Sequence, residues 1–199
     1  MSVLDQVGRT NPEKVVLYIS TPGGGVFEGV SIYNYLRLLP FPVETCNFGT
    51  VDSIGAVIYA AGTRRTSVPQ ARFLLHGVQA QFGSGQSLEE PQIIERLKGL
   101  QIDTKNIARI IGATIGKDES AVTQLMLERT TLDPPAAIAL GLVHAGDPPP
   151  IPRGATVWPV QRQPQMPAIQ FQGVPTGIQL GLSGAVIEPH STGLALSRS

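Results

Sequence analysis

The stretch "KVVLYISTPGGGVFEGVSIYNYLRLLP", residues 14–40, limits the fold more than any other part of the chain. "KVVLYIS" reads as a short buried strand because it is apolar and rich in β-branched residues, and "TPGGG" ends it. Val26, Val30, Tyr33 and Leu36 then recur at helical spacing until Pro40 and Pro42 stop the helix. The same order repeats downstream. "VETCNF" reads as a second strand, "SIGAVIYAAG" as a short helix of small residues, and "RTSV" and "RFLLHG" as strands around the turn "PQA". Ile93, Leu97, Leu100, Thr104, Ile107 and Ile111 then mark one face of a long helix, with Glu95, Arg96, Lys98, Asp103, Lys105 and Arg109 off that face. A further helix is expected from about Glu119 to Glu128, and another through "PPAAIALG" with Pro134 or Pro135 in its first turn. Strands alternating with helices predict an α/β domain of parallel βαβ units.

Composition sets the borders of that domain. Between Pro148 and Ser199 fall nine of the 17 prolines, with no lysine, no aspartate and a single glutamate, Glu188. Such a stretch buries little surface and interrupts helix and strand repeatedly, so residues 148–199 are expected to form an extended or disordered tail, with "IQLGLSGAVIE" as a piece able to dock on a neighbour. Residues 13–147 then make the domain, preceded by a 1–12 remnant.

Charge and cysteine content remove several function classes. Fifteen basic and 15 acidic residues balance, which gives no electrostatic footprint for nucleic acid or a membrane surface. The single cysteine, Cys46, precludes an internal disulfide and fits a reducing compartment as a small core residue. No basic-then-apolar leader and no span-length apolar run is visible, so the expectation is a soluble, cytoplasmic chain. His76, His144 and His190 have no paired ligand spacing, and neither a metal nor a cofactor is expected.

Three elements carry chemical potential. Asp52 and Ser53 open the apolar "SIGAVIYAAG" run, where they read either as helix caps or as a nucleophile aimed from a helix start. Gly23, Gly24 and Gly25 read either as a tight turn or as a stretch whose N–H groups face an oxyanion with no Cβ in the way. It is no phosphate loop, because the "GK[ST]" ending is missing. His76 closes the "RFLLH" strand and is followed by Gly77, which leaves room for an imidazole at a cleft. In a parallel α/β sheet all three lie near the carboxyl ends of strands, where reactive groups gather. A serine, a histidine and an oxyanion cradle are the minimum set for acyl transfer.

In order and spacing, "LYISTPGGGVFEGVSIYNYL", "GTVDSIGAVIYAAGTRR", "PQARFLLHG" and "PPAAIALGLV" resemble the proteolytic subunit of the Clp protease, over about residues 13–146. The resemblance implies a ClpP/crotonase fold of repeated ββα/βαβ units. It implies Ser53 as nucleophile, His76 as general base, and N–H groups near Gly24 and Gly25 with that of Ile54 as the oxyanion hole; at Asp52, where family members usually carry a small residue, the chain departs, and Asp52 is expected to cap. It further implies serine peptidase activity on peptides or unfolded proteins, in a ring oligomer whose helix 92–111 contacts a facing ring.

The chain also departs from that pattern. The family's aspartate that orients the histidine matches Arg129 or Thr130 in "LMLERTTLDPPAA", which leaves Glu128 as the candidate orienter and Asp133 as an N-cap before Pro134. The family's first helix and strand and its gating segment find no counterpart before "NPEKVVLYIS", so docking to an AAA+ unfoldase is not supported. A noncatalytic subunit of a Clp-like assembly is therefore the alternative, followed by a crotonase-type acyl-CoA enzyme and a Ser/Lys peptidase.

Overall fold

A computed structural model of the chain describes residues 2–80, 82–83, 85, 87–144, 147–151, 153–155 and 157. The tail piece "IQLGLSGAVIE" and His190 lie outside the described residues.

The fold is mixed α/β. Elements follow in the order α1 (Ser2–Arg9), β1 (Val15–Thr21), α2 (Val26–Leu38), β2 (Val43–Asp52), α3 (Gly55–Ala60), β3 (Arg64–Ser67), β4 (Arg72–Leu74), α4 (Glu90–Ile115), α5 (Glu119–Leu127), β5 (Thr131–Leu132) and α6 (Pro134–Ala139). Alternating strand and helix runs thus give strand and helix where the apolar periodicity predicts them. Two elements go beyond that reading. The 1–12 remnant holds a helix, α1, joined to α2 by the Tyr35 hydroxyl donating to Asp5. A two-residue strand, β5, is too short to leave a periodicity.

The sheet is ordered β1-β2-β4-β5, with β3 also against β2. β1, β3 and β4 all pair with β2 in parallel, and β5 pairs with β4 antiparallel. β2 is long enough to take two neighbours on one edge: Glu44–Asn47 against β3 and Thr50–Asp52 against β4. The chain passes from one to the other through the turn at Pro69 to Ala71, where the Ala71 N–H donates to the Val68 carbonyl. Asn47 secures the join, since its amide donates to the Arg72 carbonyl at 2.8 Å and its oxygen accepts from the Gly49 N–H at 3.0 Å.

The core lies between one sheet face and helices α3 to α6. Val51, Val57, Tyr59, Phe73, Ile111 and Leu142 are fully enclosed, and each such side chain contributes about 1.5–3 kcal/mol on leaving water. Tyr59 meets Phe73 edge to face at 5.2 Å, and its hydroxyl donates to the Thr66 carbonyl, so the buried phenol is satisfied. Burial pushes the Tyr59 phenol well above the usual tyrosine range. α4 contributes to this core with its C-terminal half only: Ile107 and Ile111 are buried, whereas Ile93, Leu97 and Ile102 are more than half exposed.

Arg65 joins the layers. Its guanidinium is buried without a carboxylate and donates to the carbonyls of Leu142, Gly62, Thr114 and Gly141. Those acceptors lie at the C-terminal ends of α3, α4 and α6, where helix carbonyls lack partners and the dipole is negative. Arg65→Met is expected to cost about 2–4 kcal/mol in urea denaturation, because several buried carbonyls lose their donor; a cost under about 1 kcal/mol would remove Arg65 from this role. Beside it, the Arg65 N–H donates to His144 Nδ1 at 3.1 Å, which requires that nitrogen to be unprotonated. Partial burial, then Arg65 and Arg64, hold the His144 pKa below the ordinary histidine value. The unfolded chain therefore takes up this proton first, so the His144 contribution is intact above about pH 6.5 and is lost as pH falls below it. Thermal denaturation at pH 7.5 and pH 5.5 should show a smaller acid loss in His144→Gln than in the unaltered chain; equal losses would exclude His144.

Candidate active site

The site forms where β1 and β2 end side by side. Their pairing is regular from Val15↔Val43 to Ile19↔Asn47, then slips so that Thr21 stands opposite Val51. The turn after β1 is thereby pressed against the residue after β2. A Cβ at Gly23 would lie 2.7 Å from Ser53 Cβ and 3.0 Å from the Asp52 carbonyl, and Gly23 has φ +95. Both the space and the dihedral restrict this position to glycine. α2 then starts at Val26 and crosses α3 closely, since a Cβ at Gly29 would lie 2.2 Å from Ile54 Cγ1.

Ser53 occupies the strand-to-helix turn with φ +58, a left-handed conformation uncommon for serine. Its N–H donates to the Leu74 carbonyl at 2.8 Å and its carbonyl accepts from the Ala56 N–H at 3.0 Å. Neither Ser53 nor Asp52 caps α3 through its side chain, and Ile54 occupies the cap position. The expectation that Asp52 caps is corrected here. β2 continues to Asp52, and the carboxylate accepts from Arg72 Nη2 at 2.7 Å and Thr50 Oγ1 at 2.8 Å instead. A charged donor on β4 outcompetes a backbone N–H for this carboxylate.

His76 follows β4, half-buried, and its Nδ1 lies 2.7 Å from the Gly77 carbonyl. A carbonyl only accepts, so in the neutral ring the proton is on Nδ1 and Nε2 keeps its lone pair. Ser53 and His76 line one cavity of about 920 Å³ together with Gly24, Gly25 and Ile54. The Ser53 hydroxyl and the imidazole make no hydrogen bond to one another among the described residues. The N–H groups of Gly24, Gly25 and Ile54 donate to no acceptor among those residues either. Leu75, Ile107, Val122 and Met126 give the same cavity an apolar floor.

Glu128 is placed elsewhere. It ends α5, is exposed, and its carboxylate accepts from Gln124 at 2.7 Å, outside the cavity lining. Arg129 is exposed with φ +54, and the Thr130 carbonyl accepts from the Leu75 N–H at 2.9 Å, so this segment meets the histidine strand through backbone. Asp133 caps α6 by accepting from the Ala136 N–H, as its place before Pro134 predicts. Sequence reading missed the Gly77 carbonyl and the Asp52–Arg72 pair. The first leaves no residue-type signal; the second was visible as period-two alternation of Thr50 and Asp52 beyond "VETCNF".

Among the described residues no helix is long and apolar enough to cross a membrane. The sequence model of the Clp protease family matches residues 1–145. The match starts at residue 1 and so includes α1. The ATP-dependent Clp protease proteolytic subunit of Bdellovibrio bacteriovorus is 32% identical over 136 residues, 67% of this chain and 64% of that protein. Subunit 3 of Rhodococcus jostii is 36% identical over 103 residues, 49% of this chain and 50% of that protein. Subunit 1 of Streptomyces avermitilis is 31% identical over 112 residues, 55% of this chain and 50% of that protein. The matched part of the chain therefore spans between half and just under two-thirds of these relatives. A family match over residues 1–145, on a mixed α/β fold with a serine and a histidine opening onto one cavity, makes this chain a member of the Clp protease family.

Proposed function

We propose that the chain is a serine peptidase that hydrolyses peptide bonds through an acyl-enzyme on Ser53. The observation that carries this reading is the single cavity shared by Ser53, His76 and the unengaged N–H groups of Gly24, Gly25 and Ile54. In the proposed reaction His76 Nε2 takes the Ser53 proton as Oγ attacks the scissile carbonyl carbon. The resulting oxyanion is held by the three N–H groups. His76 then gives its proton to the leaving amine, and water repeats the sequence on the ester. The missing Ser53–His76 hydrogen bond is compatible with this, since catalytic contacts in substrate-free sites are often long and tighten on binding.

The Gly77 carbonyl takes the place of an orienting acid in this reading. It fixes the tautomer, and being uncharged it stabilises the imidazolium less than a carboxylate would. Glu128 would have to leave Gln124 to serve instead. Self-association into rings is part of the proposal, supported by the uncovered Ile93, Ile94, Leu97 and Ile102 on the N-terminal half of α4. A partner ATPase is suggested by the relatives' description as ATP-dependent.

With a fluorogenic peptide or unfolded casein as substrate, Ser53→Ala and His76→Ala should each reduce kcat by about a thousandfold or more. Glu128→Gln should stay within about twofold of the unaltered chain. Retained hydrolysis in Ser53→Ala would exclude the mechanism, and a folded, assembled but inactive protein would favour the noncatalytic alternative. Gly23→Ala should lower kcat about tenfold or more, because the added methyl displaces Ser53; unchanged kcat would mean that the turn does not set the nucleophile.

A further inference from the structure

The Asp52–Arg72 pair is the feature near the site that the proposed mechanism leaves unused. The Asp52 carboxylate is buried, with its side chain 8% exposed, while Arg72 reaches it from the solvent side with its side chain 53% exposed. Thr50 Oγ1 satisfies one carboxylate oxygen and Arg72 Nη2 the other. Strand alternation places Val51 and Phe73 in the core and sets Thr50, Asp52 and Arg72 on the opposite face. The pair bridges the β2–β4 ladder, which is only three residue pairs long: Thr50↔Arg72, Val51↔Phe73 and Asp52↔Leu74.

Each strand of that ladder delivers one member of the proposed reacting pair. Ser53 follows Asp52 directly, and His76 follows Leu74 by two residues. A ladder this short holds its register weakly through the backbone alone, and a slip by one residue would turn every side chain to the other face. Arg72 is held twice, its carbonyl by Asn47 and its guanidinium by Asp52. The charge has a second consequence. A bare carboxylate one residue from the nucleophile would oppose the negative charge that develops on the substrate oxygen, and the guanidinium neutralises it.

We infer that Asp52 and Arg72 form a positioning pair, which fixes the strand carrying Ser53 against the strand carrying His76 and cancels the charge of Asp52 beside the nucleophile. This rests on the serine peptidase reading. The two effects predict an order of activities that a packing role would not produce. Arg72→Gln leaves the carboxylate buried and bare, so it is the worst case; Asp52→Asn removes the charge and keeps an acceptor; the double variant Asp52→Asn/Arg72→Gln removes the cause of the damage.

The test is steady-state hydrolysis of a fluorogenic peptide by the full chain, with kcat and KM determined separately and Ser53→Ala as background. Arg72→Gln should lower kcat about tenfold with KM within about twofold, and Asp52→Asn should lower kcat about threefold. The double variant should recover to about the kcat of Asp52→Asn, roughly threefold below the unaltered chain and clearly above Arg72→Gln. Unchanged kcat in Arg72→Gln, or a double variant no faster than Arg72→Gln, overturns the inference. Should Arg72→Gln fail to fold, Asp52→Asn carries the test, since it takes the charge out of the pair and keeps an acceptor. A kcat reduced about threefold at unchanged KM then supports the pair, and an unaltered kcat overturns it. These failures differ from failure of the underlying reading, in which the unaltered chain itself shows no Ser53-dependent hydrolysis and both claims fall.

Discussion

The contact between Gly23 and Ser53 is the constraint on which the rest of the site depends. Parallel strands β1 and β2 end side by side, and the slip in their register presses the turn after one onto the residue after the other. No side chain fits between them. This close approach forces glycine at position 23 and fixes the start of α2, whose first residues frame one side of the cavity. It also holds Ser53 in a left-handed turn beside the cavity that Gly24, Gly25 and Ile54 line with it. The strain of that turn, about 1–3 kcal/mol, is offset by the core that closes beneath it, where Val51, Val57 and Phe73 are fully buried.

The groups that the proposed mechanism uses around the oxyanion and the imidazole are mostly backbone. In the proposed mechanism the donors for an anion are the N–H groups of Gly24, Gly25 and Ile54, the Gly77 carbonyl sets the histidine tautomer, and the Asp52–Arg72 ion pair, which faces away from the core, braces the ladder that carries the proposed reacting groups. Backbone groups are positioned by the fold itself and need little reorganisation during reaction. They bring no net charge to the imidazolium, which separates this arrangement from one with a carboxylate behind the histidine. Arg65 plays a comparable part at the far side of the core, where one guanidinium draws three helix ends onto the sheet.

Much of this was legible in the sequence, for local reasons. Short β-branched runs bounded by glycine and proline mark the main strands, and the groups that end those runs, Gly23 to Gly25, Ser53 and His76, fall where a parallel sheet collects its chemistry. What stayed hidden depends on partners distant in sequence. β2 extends to Asp52 because β4 waits twenty residues on with Arg72, so an acid that reads as a helix cap belongs to a strand. β5 exists only through its pairing with β4. The apolar stripe of α4 was correctly traced, yet periodicity could not tell that its first half would lie uncovered while Ile107 and Ile111 enter the core.

The central claim is that Ser53 is a nucleophile activated by His76 in a cavity built from backbone donors. Labelling with a fluorophosphonate, followed by mass spectrometric mapping of the adduct, tests it most directly, in the unaltered chain and in His76→Ala. The account predicts an adduct on Ser53 that is lost when His76 is removed. A folded and assembled protein that forms no adduct on Ser53, or one whose labelling is indifferent to His76, would contradict it.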